Sequence, residues 1–225
     1  MLEVLNKKVK IKEIFTSIQG EGVYVGEKHG FVRFCHCNLK CDYCDTDFLP
    51  ENSNEYNIDE LFNILKNLNC DTVSFTGGEP LVEVEFLYEF LKKYKNKLSK
   101  KIYLETNGTL YFELQKIIDF VDIVSMDIKL ESTTKQKNRF LENEEFLKIA
   151  KNKQVFIKIV FDNSIKNEEI EKSIDLAKKY NTLIILQPKM PMDKNLELEA
   201  IFEKFYSKYK NIRLIPQVHK FLNVI

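Results

Sequence analysis

The sequence predicts an α/β fold of repeated βα units, a barrel or an open parallel sheet, and three observations carry that expectation. Short, continuously apolar runs of strand length recur along the chain, as buried parallel strands do. Amphipathic helical patterns separate them. The alternation continues from one end to the other with no linker rich in Pro, Gly or Ser, which places residues 1–225 in one domain.

The first strand expected is Phe31 to Cys35, an apolar run that holds one Arg. Thr72 to Phe75, Ile102 to Leu104, Ile123 to Met126, Val155 to Val160, Leu183 to Leu186 and Ile212 to Ile215 follow, each rich in the β-branched and aromatic residues that strands favour. Between the first two lies a helix over Ile58 to Leu68, with Ile58, Leu61, Phe62, Leu65 and Leu68 on one face and Asn57 as its cap. Ile170, Ile174 and Ala177 form the apolar face of a later helix, Glu168 to Tyr180. The polar stretch Glu131 to Arg139 reads as a surface loop.

Composition narrows the function classes. The 225 residues are 44% hydrophobic, enough to bury a full core. Thirty-four Lys and Arg balance 34 Asp and Glu, which argues against a nucleic-acid footprint; the basic clusters Lys7 to Lys12 and Lys92 to Lys101 read as scattered solvated lysines. No apolar run approaches membrane-spanning length, so no membrane is expected as a partner and a cytoplasmic location is.

The chemistry is announced at the ends of the strands, where parallel α/β folds gather functional groups. The first strand runs into Cys37, Cys41 and Cys44, spaced C-x3-C-x2-C. Three thiolates can hold a cubane iron–sulfur cluster with one iron open to a small molecule, whereas electron carriers use four. A structural zinc site drawing a fourth ligand from Cys35 or His36 is the competing reading. Five cysteines, an odd number, and the length of the chain speak against a disulfide framework. Cys70 reads as a buried core thiol. Later strands end in Thr76-Gly77-Gly78-Glu79-Pro80, Glu105-Thr106-Asn107-Gly108-Thr109, Ser125-Met126-Asp127-Ile128-Lys129 and Gln187-Pro188-Lys189. Two adjacent glycines let a ligand approach the backbone closely, and such a loop could cradle an ammonium group.

Taken together, the cysteine spacing, Tyr43 before the third Cys and the Gly77-Gly78-Glu79-Pro80 loop resemble the radical S-adenosylmethionine (SAM) superfamily. Further stretches narrow the resemblance to the 7-carboxy-7-deazaguanine synthases: Glu13 through Gly22, Phe31-Val32-Arg33, Cys44-Asp45-Thr46 and Pro216-Gln217-Val218-His219-Lys220. It implies a partial (β/α) radical SAM barrel of parallel strands with a reduced helix set, working as a homodimer. It also implies the reaction, conversion of 6-carboxy-5,6,7,8-tetrahydropterin to 7-carboxy-7-deazaguanine with loss of ammonia on the way to queuosine. A 5'-deoxyadenosyl radical would take hydrogen from C6 of the pterin and return it after the ring contracts, so SAM is regenerated.

By the same resemblance Cys37, Cys41 and Cys44 hold a 4Fe–4S cluster reduced by a flavodoxin or ferredoxin. Tyr43 and Asp45 flank SAM, Gly78 and Glu79 meet its methionine end, and Thr106, Asn107, Ser125, Lys129 and Gln187 line the rest. Thr46 and the substrate would share a Mg2+ ion, which prefers hard oxygen ligands. Ile18, Gln19, Gly20, Glu21, Arg33, Thr76 and His219 are expected at the pterin, with Gln19, Glu21 and Arg33 central to the reaction. The Arg33 guanidinium suits the substrate carboxylate, since it can donate two parallel hydrogen bonds. Strand alternation sets it on the face opposite Val32 and Phe34. Gln19 offers a donor and an acceptor and Glu21 acceptors to the pterin edge. The C-terminal carboxylate at Ile225, six residues past His219, would close the pocket. His36 stands where such enzymes usually have Gly, and Cys35 is an extra thiol. The short, polar stretch Phe48 to Tyr56 leaves the cluster lightly covered and predicts oxygen sensitivity.

Overall fold

The computed structural model describes residues 8–44 and 50–224. Among the described residues nine strands form one open sheet: β1 (Val9–Ile18), β2 (Lys28–Phe34), β3 (Asn54–Tyr56), β4 (Thr72–Gly77), β5 (Lys101–Thr106), β6 (Ile123–Asp127), β7 (Gln154–Phe161), β8 (Leu183–Pro188) and β9 (Ile212–Leu214). Their spatial order is β3-β1-β2-β4-β5-β6-β7-β8-β9. From β2 to β9 every pairing is parallel. The helices are α1 (Ile58–Asn67), α2 (Val84–Leu98), α3 (Tyr111–Ile117), α4 (Glu131–Thr134), α5 (Phe140–Ala150), α6 (Asn167–Tyr180), α7 (Leu198–Tyr206) and α8 (Val218–Leu222). All seven strands expected from the sequence form, and α1 starts where Asn57 predicts. The Asn57 side chain accepts from the N–H groups of Asp59 and Glu60 at 3.0 and 2.9 Å, and Glu60 reaches back to the Asn57 N–H. None of the helices is long and apolar enough to cross a membrane, among the described residues.

Two strands were not expected. β1 pairs antiparallel with β2, and the register slips between Ile11 and Glu13. That bulge changes the phase of the strand: Val9, Ile11 and then Ile14 pack on the helix side, while Glu13 and Phe15 turn inward. The sequence therefore shows no clean two-residue alternation. β3 is three residues long and half exposed.

The polar stretch from Glu131 is also more than a surface loop. Its first turn is α4, with Ser132, Thr133 and Thr134 buried. The threonine hydroxyls donate to the Leu130 carbonyl, and the Ser132 N–H donates to Glu169. Local hydrogen bonds let the two threonines be buried at little cost. Cys70 is half-buried, not in the core; it precedes β4 with its sulfur over Gly30. The lysines of the 92–101 cluster are largely engaged, Lys93 with Asp59 at 2.7 Å and Lys100 with the carbonyls of Leu68 and Cys70.

Alternation sorts each parallel strand into two faces. The outer one, exemplified by Val32, Phe75, Leu104, Val124, Ile157 and Leu186, packs on the helices in the main core. Inward positions change character along the strand. Near the amino ends Tyr103, Ile123, Phe156 and Ile185 form a small apolar floor. Toward the carboxyl ends the same face carries Arg33, Thr76, Glu105, Ser125, Asp127, Lys158 and Gln187. The sheet thus makes a cup with an apolar base and a polar mouth.

His29 lies within that base, its side chain fully buried against Tyr103 and Phe31, with Nδ1 2.7 Å from Ser74 Oγ. Burial lowers its pKa to about 4. A depressed histidine stabilises the fold above its unfolded value near 6.5, and that contribution disappears as pH falls from 6.5 through 4. Stability is expected to drop by roughly 2–3 kcal/mol over this window from His29 alone. Urea midpoints measured from pH 7 to pH 4 should fall less steeply in His29→Phe than in wild type; parallel curves would contradict the assignment.

Candidate active site

The mouth of the cup holds a cavity of about 530 Å³, within the size range of small-molecule and cofactor sites. Of the expected site residues that the structure describes, it brings Cys37, Cys41, Cys44, Tyr43, Ile18, Gln19, Gly20, Glu21, Arg33, Thr76, Gly78, Thr106, Asn107, Ser125, Lys129, Gln187 and His219 to its walls. Asp45, Thr46 and Ile225 lie outside the described residues.

Glu79 is the exception. It is fully buried and does not line the cavity. Its carboxylate accepts from the Thr106 hydroxyl at 2.9 Å, the Asn107 N–H at 2.8 Å and the Leu81 N–H at 3.1 Å. Burial outweighs these donors and pushes its pKa up to about 7. The side chain is a strut between the β4 and β5 loops.

The cysteine loop is clamped against the same region. The Gly78 N–H donates to the Phe34 carbonyl and the Glu79 N–H to the His36 carbonyl. A Cβ at Gly78 would stand 1.7 Å from the His36 oxygen, so glycine is required for this approach. His36 itself has φ of 66°, the left-handed region that glycine prefers, which explains why a glycine suits this position. On the other side Asn107 donates to Asn38 at 2.8 Å and Asn38 to Thr109 at 2.9 Å, while the Asp42 N–H binds the Thr134 carbonyl.

None of the three cysteines is in a disulfide. Burial raises Cys37, and it raises Cys41 to about 11; a bound cationic cluster would reverse that tendency, since coordination deprotonates a thiol. No group of three or more His, Cys, Asp and Glu forms a closed single-ion site among the described residues. Three sulfurs on one cavity wall, with room beside them, fit a cluster that keeps one open iron. Room for a ligand with N–H donors is marked by two buried acceptors that have no protein partner, Asp127 Oδ1 and Gln187 Oε1. Tyr43 lies under two cations, with Lys129 Nζ 5.3 Å and Lys189 Nζ 5.8 Å from its ring centre.

On the opposite wall Arg33 donates through Nε to Glu13 at 2.6 Å, its cross-strand partner on β1. Its guanidinium sits 5.6 Å over the Phe15 ring, which stacks on Phe31. The side-chain amide of Gln19 donates to Glu105 Oε1 at 2.8 Å and accepts from the Glu21 N–H at 3.1 Å; Thr76 donates to the other Glu105 oxygen at 2.8 Å. Glu21 accepts from Lys158 and, at 2.6 Å, from Gln217. Burial alone would raise the Glu21 pKa, but Lys158 and Gln217 hold it down at about 2. His219 packs directly over Gly20.

Glu13, Glu105, Lys158 and Gln217 were missed as site residues. Asp127 and Glu105 stood in strand-end loops already singled out, but polarity alone does not say which way a side chain faces. Lys158 had a signal: it is a lone charge at an inward position of an otherwise apolar strand.

The chain is similar to known proteins in both sequence and fold. The model of the radical SAM superfamily matches residues 32–204. A 7-carboxy-7-deazaguanine synthase of Geobacter sulfurreducens is 32% identical, covering 95% of this chain and 96% of that protein. One from Thermoplasma acidophilum is 33% identical over 94% of this chain and 96% of its own length. The crystal structure of QueE from Escherichia coli superposes with a TM-score of 0.66 at 20% identity, covering 97% of this chain and 98% of that one, and supports the fold.

Proposed function

This chain belongs to the radical SAM superfamily and, within it, to the 7-carboxy-7-deazaguanine synthases, and from that premise we infer how its own residues carry the reaction. The enzyme is a radical SAM lyase that makes 7-carboxy-7-deazaguanine from 6-carboxy-5,6,7,8-tetrahydropterin, with loss of ammonia, in queuosine biosynthesis. Bound in the cavity, a 4Fe–4S cluster and SAM supply the carbon radical that starts the ring contraction.

Cys37, Cys41 and Cys44 are the cluster ligands in this reading. Gly78, which lines the cavity and whose missing side chain lets the cysteine loop close against it, meets the methionine end of SAM, and Glu79 acts behind it by fixing Asn107. Tyr43, Asp45, Thr106, Ser125, Lys129 and Gln187 surround the rest of the cofactor, where Gln187 and Asp127 each offer an unpartnered acceptor to N–H donors. Across the cavity Arg33, with Nε held by Glu13, turns its two terminal nitrogens to the substrate carboxylate. Glu21 accepts from the N–H edge of the pterin. Gln19, engaged at both ends of its amide, keeps one N–H to offer, and Thr76 and Glu105 set its position. His219, Ile18 and Gly20 close the substrate side. Thr46, outside the described residues, would hold a Mg2+ ion together with the substrate, since this hard cation prefers oxygen ligands. A flavodoxin or ferredoxin delivers the electron, and the working form is a homodimer. The apolar floor excludes water from below, which protects a reactive carbon centre.

The observation that supports this reading is the convergence of the cysteine loop, the Gly-Gly loop, Arg33 and Glu21 on one cavity. Anaerobically reconstituted protein given dithionite, SAM, Mg2+ and 6-carboxytetrahydropterin should form 7-carboxy-7-deazaguanine, detected by mass spectrometry, with a rate that drops when Mg2+ is chelated. Formation of 5'-deoxyadenosine without any deazapurine would overturn the substrate assignment; a rate indifferent to chelation would overturn the Mg2+ role.

A further inference from the structure

We propose that Lys158 is a positioning residue for the pterin: it holds Glu21 as an aimed, ionised acceptor and joins the substrate wall to the cofactor wall through Asp127. The proposal rests on the placement of Glu21 at the substrate given above.

Lys158 projects from the middle of β7 into the cavity, with its side chain 12% exposed. It binds one oxygen of Glu21, from the loop after β1, and lies 3.2 Å from Asp127 Oδ2, at the end of β6. Asp127 in turn pairs with Lys129 at 2.9 Å. The charges alternate along this line, Glu21, Lys158, Asp127, Lys129, and so cancel in a site that takes a carboxylate on one side and a cation on the other.

Chemistry explains why a lysine is needed. A carboxylate buried without a cation takes up a proton, and a protonated Glu presents a donor where the pterin N–H edge also presents donors. With Lys158 on one oxygen and Gln217 on the other, Glu21 stays ionised and its orientation is fixed. Each oxygen retains a lone pair for the ligand. The other charged groups acting on the pair are His219 beside Glu21, and Asp127, Lys129 and Glu105 around Lys158. None of them donates to Glu21 in place of Lys158.

Lys158→Met is expected to lower kcat/KM for the pterin by about 100-fold at pH 7, the scale on which partners that orient a contact group act, with a much smaller change in the KM for SAM. Relative to wild type, activity should recover as pH rises toward 9, because Glu21 then loses its proton without help. Lys158→Arg should restore activity to within about tenfold, and Lys158→Met added to Glu21→Gln should cost little beyond Glu21→Gln alone. Should the Met variant fail to fold, Lys158→Gln, which keeps a donor and loses the charge, carries the same expectation. Pterin kinetics within twofold of wild type in the Met or Gln variant, or a loss independent of pH and shared equally by SAM, would overturn the proposal. If Glu21→Gln itself leaves pterin kinetics unchanged, the placement of Glu21 is what fails.

Discussion

Gly78→Ala is expected to lower turnover by at least ~100-fold and to reduce the iron and sulfide retained after anaerobic reconstitution. The added methyl would stand 1.7 Å from the His36 oxygen and 3.1 Å from the Cys37 N–H nitrogen. These contacts are backbone to backbone, so no side-chain rotation relieves them. The loop must move by more than an ångström, and displacements of about that size in a reacting centre cost about 100-fold. The shift breaks the bond from the Glu79 N–H to His36, at 2.8 Å, that seats the cysteine loop. Iron and sulfide assays with the ultraviolet–visible spectrum give the cluster content, and product assays give the turnover. Full cluster content with wild-type turnover would show that the two loops do not depend on this approach.

Arg33→Met carries the second large effect, on the substrate side. The variant leaves the pterin carboxylate facing Glu13 with no cation between them, and removing one partner of a largely desolvated charge pair costs about 3–5 kcal/mol. Arg33 is 23% exposed and Glu13 44%, so the lower part of that range applies, and kcat/KM for the pterin should fall by roughly 100-fold or more. The loss should be mostly in KM, with the KM for SAM little changed. Arg33→Lys should recover part of it, because an ammonium restores the charge without the two-pronged geometry. Steady-state kinetics with each substrate varied in turn checks this; a fall in kcat with no change in KM would place Arg33 elsewhere in the cycle.

The parallel part of the fold was legible because its strands are buried on both faces and read as unbroken apolar runs. β1 was not, since the bulge after Ile11 moves its apolar positions from one phase to the other. α4 was hidden for another reason: Thr133 and Thr134 look solvent-exposed by composition and are buried by bonding to nearby backbone carbonyls. At the site, Cys37 stood out by its spacing, Gly78 by its loop, and Arg33 by the family resemblance and its place in an apolar strand. Glu79 shows the limit of that reading, because a motif gives the identity of a side chain but not its direction, and this one faces Thr106 and Asn107. Lys158, Glu105 and Gln217 act through partners 137, 86 and 196 residues away in sequence, pairings that only the folded sheet brings about.

With SAM and the pterin side by side in one cavity, a hydrogen should pass between them and back. Turnover of substrate deuterated at C6 tests it most directly, with SAM and product recovered for mass spectrometry. Deuterium is expected to appear in SAM as 7-carboxy-7-deazaguanine accumulates, with no matching build-up of 5'-deoxyadenosine. Product formed while SAM stays unlabelled, or 5'-deoxyadenosine rising mole for mole with product, would contradict it.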